Sequence, residues 1–183
     1  MTMRRVRATL GWALLAMLWV APEVAAQASG STVWLVRHAE RADAGMADTP
    51  DPELSAAGHE RARELARLLG EAGLTSIHST DYHRTRQTAG PIAEALGLEV
   101  HLYDPSDEAS MARLVAAVQA PGRHLIVGHS NTTPAMADRL GGDAVSPISE
   151  MEYDRLYLLR LTDGAVETSI LRFGAPAPGS GGE

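Results

Sequence analysis

Four times in succession this chain sets a short apolar run of β type before a segment of helical period. The pairs are Thr32 to Val36 with Ser55 to Gly70, Leu74 to His78 with Arg84 to Leu96, Glu99 to Tyr103 with Asp107 to Ala120, and His124 to Val127 with Pro134 to Leu140. The helical segments each carry one apolar stripe, such as Ala89, Ile92, Ala93 and Leu96, or Met111, Leu114, Val115 and Val118. The strands are apolar throughout, so both of their faces have to be covered. This alternation predicts an α/β fold: a three-layer α/β/α sandwich with a mostly parallel central sheet. Past Ser149 the pattern changes to "EYDRLYLLRL" and "AVETSILRF", two β-rich runs joined at Asp163-Gly164. A DG pair in that position predicts a C-terminal antiparallel hairpin at one edge of the sheet.

The two ends of the chain read differently. Arg4, Arg5 and Arg7 precede an apolar run from Ala8 to Ala21, followed by the small residues Ala25 and Ala26. That is the build of a secretory signal peptide over residues 1–26, with cleavage after Ala26 or Ala28. The run is too short for a good transmembrane helix, so the reading is a periplasmic or secreted protein with no stable membrane insertion after cleavage. One domain follows over residues 31–174, and the Gly- and Pro-rich residues 175–183 read as a flexible tail. Without its first 26 residues the chain keeps 13 basic and 22 acidic side chains, a formal charge of −9, which disfavours nucleic acid as a partner. It has no cysteine, so disulfides and thiolate metal sites are excluded. It has no lysine either, so every fixed positive side-chain charge is a guanidinium.

In an open parallel sheet the ligand crevice lies beyond the carboxyl ends of the strands. The residues there are Arg37, His38 and Glu40 after the first strand, Arg84 and Arg86 in "STDYHRTRQTA" after the second, and Gly128, His129 and Ser130 after the fourth. Guanidinium forks match phosphate oxygens, and a strand-end loop feeding a helix N-terminus adds backbone donors. The edge therefore reads as an anion site. A neutral imidazole within it is a competent nucleophile toward phosphorus, and a second, protonated one can share the charge of a transferring phosphoryl group. The polar loop from Asp43 to Glu53 opens at the same end of the sheet. Thr133 reads as a helix cap with Pro134 at the first helical position. His59, His78, His83, His101 and His124 show no metal-ligand spacing with a carboxylate, so no metal is indicated; only His83 lies beside the arginines.

"RHAE" at Arg37 to Glu40, the Ser79 to Ala89 stretch ending "RTRQTA", and "GHSNT" at Gly128 to Thr132, each after a strand and in this order, resemble the histidine phosphatase superfamily, in its phosphoglycerate mutase-like branch. The resemblance runs from about Val33 to Phe173. It implies that His38 is the nucleophile that becomes phosphorylated, that Arg37 and Arg84 clamp the phosphate, and that His129 completes the clamp. Arg84 is preferred to Arg86 because it falls where the family's helix-opening arginine does. Ala39 replaces the family's more usual glycine. Glu40 and Ser130, each close after one of the histidines, are candidate further substrate contacts. The family takes its proton donor from the region after the third strand, where this chain offers Asp104, Asp107 and Glu108, with Asp104 the first choice.

The function so implied is an exported, metal-independent phosphomonoesterase. It would pass a phosphoryl group from a small-molecule phosphomonoester to His38 and then to water, with no cofactor. The alternatives are a phosphohistidine phosphatase acting on a protein, and a non-catalytic phosphate-ester binding protein of the envelope.

Overall fold

The structure, a computed structural model, describes residues 30–42, 50–143 and 145–176. The expected signal peptide and its cleavage site, positions 43–49 of the polar loop and positions 177–183 of the tail lie outside the described residues.

The elements follow in the order β1 (Ser31–Arg37), α1 (Ala56–Leu69), β2 (Ser76–Thr80), α2 (His83–Leu96), β3 (Val100–Tyr103), α3 (Glu108–Gln119), β4 (Gly122–Gly128), α4 (Thr132–Arg139), β5 (Arg155–Thr162) and β6 (Ala165–Arg172). The six strands make one sheet in the order β3-β2-β4-β1-β5-β6. The first four strands are mutually parallel, β5 pairs antiparallel with β1, and β6 closes that edge as the hairpin partner of β5. Four parallel strands need crossovers, and the four amphipathic helices supply the apolar faces that cover the sheet. On one face, Leu65, Leu69 and Ile92 of α1 and α2 pack with Val36, Ile77, Leu125 and Leu156. On the other, Met111, Leu114, Val118 and Met136 of α3 and α4 pack with Val33, Leu35, Ile126 and Leu159. Each such fully buried side chain is worth roughly 1.5–3 kcal/mol of transfer free energy.

The helix ends are set by local chemistry. Ser55 caps α1 by accepting from the Gly58 N–H at 3.1 Å, and Asp107 caps α3 through the N–H groups of Ala109 and Ser110. Gly97 ends α2 at φ 63°, a left-handed conformation that suits glycine. The expected cap at Thr133 is corrected. Helix α4 begins at Thr132, with Asn131 at the cap and Pro134 in its third position. Thr132 Oγ1 accepts from the His129 N–H at 2.9 Å and the Thr133 N–H reaches the His129 carbonyl at 3.0 Å, so the first turn starts directly behind His129. Strand β2 is also displaced, ending at Thr80 rather than His78. Ser79 and Thr80 stay in the ladder, wholly buried, because their hydroxyls find internal partners in the Thr80 carbonyl and Thr85.

A buried arginine ties the two ends of the described chain together. Arg61 of α1 donates to both Glu40 carboxylate oxygens from Nε at 3.0 Å, and to the carbonyls of Phe173 and Ala175 at 2.8 and 2.9 Å.

Candidate active site

Strand β1 delivers Arg37 and His38 to the carboxyl edge of the sheet, and β4 beside it delivers His129. The ladder runs one step past the end of β1, since the His38 N–H donates to the carbonyl of Gly128, the last residue of β4, at 2.8 Å. Gly128 has to be small there: a Cβ would lie 2.8 Å from Thr132 Oγ1 and 3.0 Å from Tyr103 Oη. The two imidazoles meet edge to face, 5.4 Å between centroids and 66° between planes.

His38 is 3% exposed, and its Nδ1 lies 2.8 Å from the Ala39 carbonyl oxygen. A carbonyl only accepts, so Nδ1 carries the proton and the lone pair is on Nε2. Burial pushes its pKa down to about 3, opposed by the Ala39 carbonyl and reinforced by Arg37, His129 and Arg84. The ring is neutral at physiological pH. The Ala39 N–H, in turn, donates to Thr88 Oγ1 at 3.0 Å, and Thr88 donates to the Arg84 carbonyl at 2.7 Å.

Arg37 is 3% exposed. Its Nη1 donates to the carbonyls of Ser149, Glu150 and Glu152 at 2.8, 2.9 and 3.2 Å, and its guanidinium carbon stands 4.2 Å from the Tyr153 ring centroid. Nη2 meets the Glu150 carboxylate at 3.2 Å, while Nε is buried with no hydrogen-bond partner among the described residues. Arg84 places Nη2 at 3.5 Å from His129 Nδ1 and Nη1 at 3.3 Å from the Asp51 carboxylate. It also stacks over Tyr82, whose ring stands edge-on to His129. Arg86 lies elsewhere, in an exposed pair with Asp81. Burial, then Arg84 and Arg37, lower the His129 pKa to about 4, against the pull of Asp51.

Of the residues expected at the site, the structure gathers Arg37, His38, Arg84 and His129. Ser130 is adjacent, its hydroxyl donating to the Glu150 carboxylate at 3.1 Å. Glu40 requires a correction as a substrate contact, because its carboxylate is taken by Arg61. So do the three expected proton donors. Asp104 turns to the Ser106 hydroxyl and N–H, bonds that hold its pKa below the usual carboxylate range. Asp107 is the cap of α3 and Glu108 pairs with Arg139. The carboxylates set against the two arginines are Asp51 and Glu150, one from each flanking loop. Sequence reasoning missed both. Neither follows a strand, and neither carries a local signal beyond lying in a loop near the sheet edge.

His83 lies at the margin of the site, its side chain 52% exposed with Nε2 3.9 Å from the Asp51 carboxylate. His78, His101 and His124 form a group of their own on β2, β3 and β4, with ring centroids 5.5 and 6.4 Å apart and the Ser76 hydroxyl between His78 and His124. Among the described residues no group of three or more His, Cys, Asp or Glu is arranged to hold a metal ion, and no helix is long and apolar enough to cross a membrane.

Residues 33–118 match the model of the histidine phosphatase superfamily, branch 1. A probable phosphoglycerate mutase, GpmB, of Escherichia fergusonii is 43% identical over 79 residues, and its counterpart in Serratia proteamaculans 42%. These matches take in 40% of this chain and 35% of each relative, so the chain spans about a third of the length of the curated relatives it matches. Among solved structures, the putative phosphohistidine phosphatase SixA from Agrobacterium tumefaciens shares the fold at a TM-score of 0.57 and 24% identity, over 80% of this chain and 99% of that one. A mycobacterial glucosyl-3-phosphoglycerate phosphatase does so at 0.58 and 17%, with the same coverage.

Proposed function

We propose that the protein hydrolyses small phosphomonoesters through a phosphohistidine at His38, a reading supported by the match of residues 33–118 to the histidine phosphatase superfamily, branch 1. One observation carries the reading. A neutral imidazole has its Nδ1–H committed to a backbone carbonyl, which leaves the Nε2 lone pair as its only reactive position, in the field of the buried Arg37, the half-buried Arg84 and a second histidine. In the first step Nε2 attacks phosphorus in line, the P–O ester bond breaks, and its electron pair leaves on the ester oxygen, which takes the proton of the monoanionic ester or one from solvent. In the second, water attacks the phosphorus, the N–P bond breaks with its electrons returning to Nε2, and one proton of the water passes to a phosphoryl oxygen or to solvent. Arg37, through Nε and Nη2, and Arg84, through Nη2, hold the equatorial oxygens, and the protein contributes mainly position and fixed charge.

A cleft of about 690 Å³ on the β3 side adjoins the site through Tyr82, whose ring meets both His129 and Arg84. No metal or cofactor takes part in this scheme. A site of action outside the cytoplasm is part of the same proposal, supported by Arg4, Arg5, Arg7 and the apolar run after them.

Purified protein, screened against a panel of phosphomonoesters, should turn over in excess chelator and be blocked by vanadate. Rapid quenching with labelled ester should trap acid-labile, base-stable label on the wild type and none on His38→Ala. His129→Ala should be slow rather than dead. Chelator-sensitive turnover, or full activity in His38→Ala, overturns the mechanism. Tight ester binding without turnover identifies a binding protein instead, and activity confined to phosphohistidine on proteins identifies the protein phosphatase.

A further inference from the structure

His129 is held by a hydrogen-bonded chain whose two ends leave no freedom in its direction. Thr85 Oγ1 lies 2.8 Å from the Thr80 carbonyl and 2.9 Å from the Tyr82 carbonyl, both of which can only accept. Its single proton is therefore spent on the backbone, and toward Thr80 its oxygen is an acceptor. Thr80 Oγ1, 3.0 Å away, must donate to it. That spends the only proton of Thr80, so at 2.9 Å from His129 Nε2 its oxygen must accept. Nε2 is then the protonated nitrogen of the neutral ring, and Nδ1 carries the lone pair. The other end agrees, since the neighbour of Nδ1 is Arg84 Nη2, which can only donate. Thr80 and Thr85 are fully buried, so water does not compete for these bonds.

We propose that Thr80 and Thr85 are positioning residues that fix the tautomer of His129, so that this ring accepts a proton only on the nitrogen facing Arg84. The inference rests on the phosphatase reading for its catalytic meaning and on the hydrogen bonds alone for the tautomer. When a phosphoryl group enters beside Arg84, a proton taken up by this ring, from the monoanionic ester or from solvent, goes to Nδ1. The N–H so formed then hydrogen-bonds a phosphoryl oxygen. The opposite tautomer would present an N–H to Arg84 and a lone pair to Thr80, and protonation at Nε2 would direct the new donor away from the substrate. In this arrangement the first threonine of "RTRQTA" has a chemical task one step removed from the arginine before it.

Full-length protein with nitrogen-15 histidines, read by long-range proton–nitrogen correlation at neutral pH, tests this without any substrate. The His129 signals are assigned by their loss in His129→Gln. Wild type and Thr80→Ser should show Nε2–H with an unprotonated Nδ1. Thr80→Val, nearly isosteric, should show a mixture. Thr85→Val frees the Thr80 proton to point at the ring and should favour Nδ1–H. In parallel, Thr80→Val should lose about tenfold or more in kcat and in vanadate affinity with KM changed less than about twofold, and Thr80→Ser should recover most of the loss. An Nδ1–H ring in the wild type, or an unaltered tautomer in Thr80→Val, overturns the proposal. The stated tautomers and vanadate losses in a protein that turns over no ester would leave it standing and defeat the phosphatase reading.

Discussion

The rings of His38 and His129 meet edge to face at 5.4 Å, with the guanidinium of Arg84 3.5 Å from His129 and those of Arg84 and Arg37 both acting to lower the pKa of each ring. Two imidazoles so placed share one electrostatic condition: in the absence of an anion, neither takes up a proton at ordinary pH.

That condition is measurable as a stability profile. Burial lowers His38 to about 3 and His78, outside the site, to about 4, and burial with the arginines lowers His129 to about 4, all from 6.5. Below pH 6.5 the unfolded chain therefore binds more protons than the folded one. The stabilisation is complete above pH 6.5 and is lost as pH falls toward 4, by up to about 1.4 kcal/mol per pH unit for each buried histidine. Denaturant midpoints should drop steadily between pH 7 and pH 5, and His78→Gln should flatten the slope. A midpoint that does not move over that range would contradict the assignment.

Arg84 and Arg86 separate cleanly. Arg84→Ala should lower kcat/KM by about two to three orders of magnitude, whereas Arg86→Ala, losing only an exposed pair with Asp81, should stay within about threefold. Lysine at position 84 should rescue poorly, because a point charge cannot both face His129 and meet Asp51 as the fork does. Steady-state kinetics on one good ester decides it, and equal losses at both positions would mean the helix is wrongly read.

The acids of the β3–α3 loop should prove dispensable for chemistry. Asp104→Asn, Asp107→Asn and Glu108→Gln remove groups already bonded to Ser106, to the α3 cap and to Arg139, so kcat should remain within about threefold in each, with some stability lost at the cap. Losses should concentrate in Glu150→Gln and Asp51→Asn, whose carboxylates touch the clamp. A large drop in kcat for Asp104→Asn at unchanged stability would return the proton donor to the β3 edge.

The loop over Arg37 depends on Glu152. Its carboxylate takes Arg155 Nε and Nη2 at 2.7 and 3.0 Å and Arg172 Nη1 at 2.5 Å, and it receives the Ser149 N–H at 3.3 Å. Glu152→Ala leaves Arg155, 9% exposed, without its main counter-ion, and should cost about 3–5 kcal/mol in a denaturant melt. Glu152→Gln should recover part of that. Turnover at low temperature, where the variant is folded, should fall as well, because the Ser149, Glu150 and Glu152 carbonyls orient Arg37. A neutral melt would show that the network is held from elsewhere.

The layered fold was legible because the strands and helices carry two different periods, and the switch between them is unmistakable at each strand end. Element ends were less so. Ser79 and Thr80 read as loop residues, yet they complete β2 because the fold gives their hydroxyls partners five residues on or in the next peptide. The site's arginines and histidines were legible from their places after strands. Asp51, Glu150 and Tyr153 were not, since what brings them there is the closing of loops over the sheet edge, a property of tertiary packing with no local period. Glu40 misled for the same reason. Its sequence neighbour is His38, but its carboxylate belongs to Arg61 on α1.

Strand β1, which carries His38, lies inside the sheet, with Ser31 registered against Gly122 on one side and Leu161 on the other. Synthesis proceeds from the N-terminus, so among the six strands β1 emerges first, while its two neighbours, β4 and β5, come fourth and fifth. Until β5 has emerged, an apolar segment waits with at least one bare edge, the situation in which nascent chains pair with the wrong strand or with each other. Its native contacts are among the most distant in sequence, which slows their formation. A chain truncated before Arg155 leaves the β5 side of β1 unpaired, so the strand that carries His38 keeps an open edge until the fifth strand arrives.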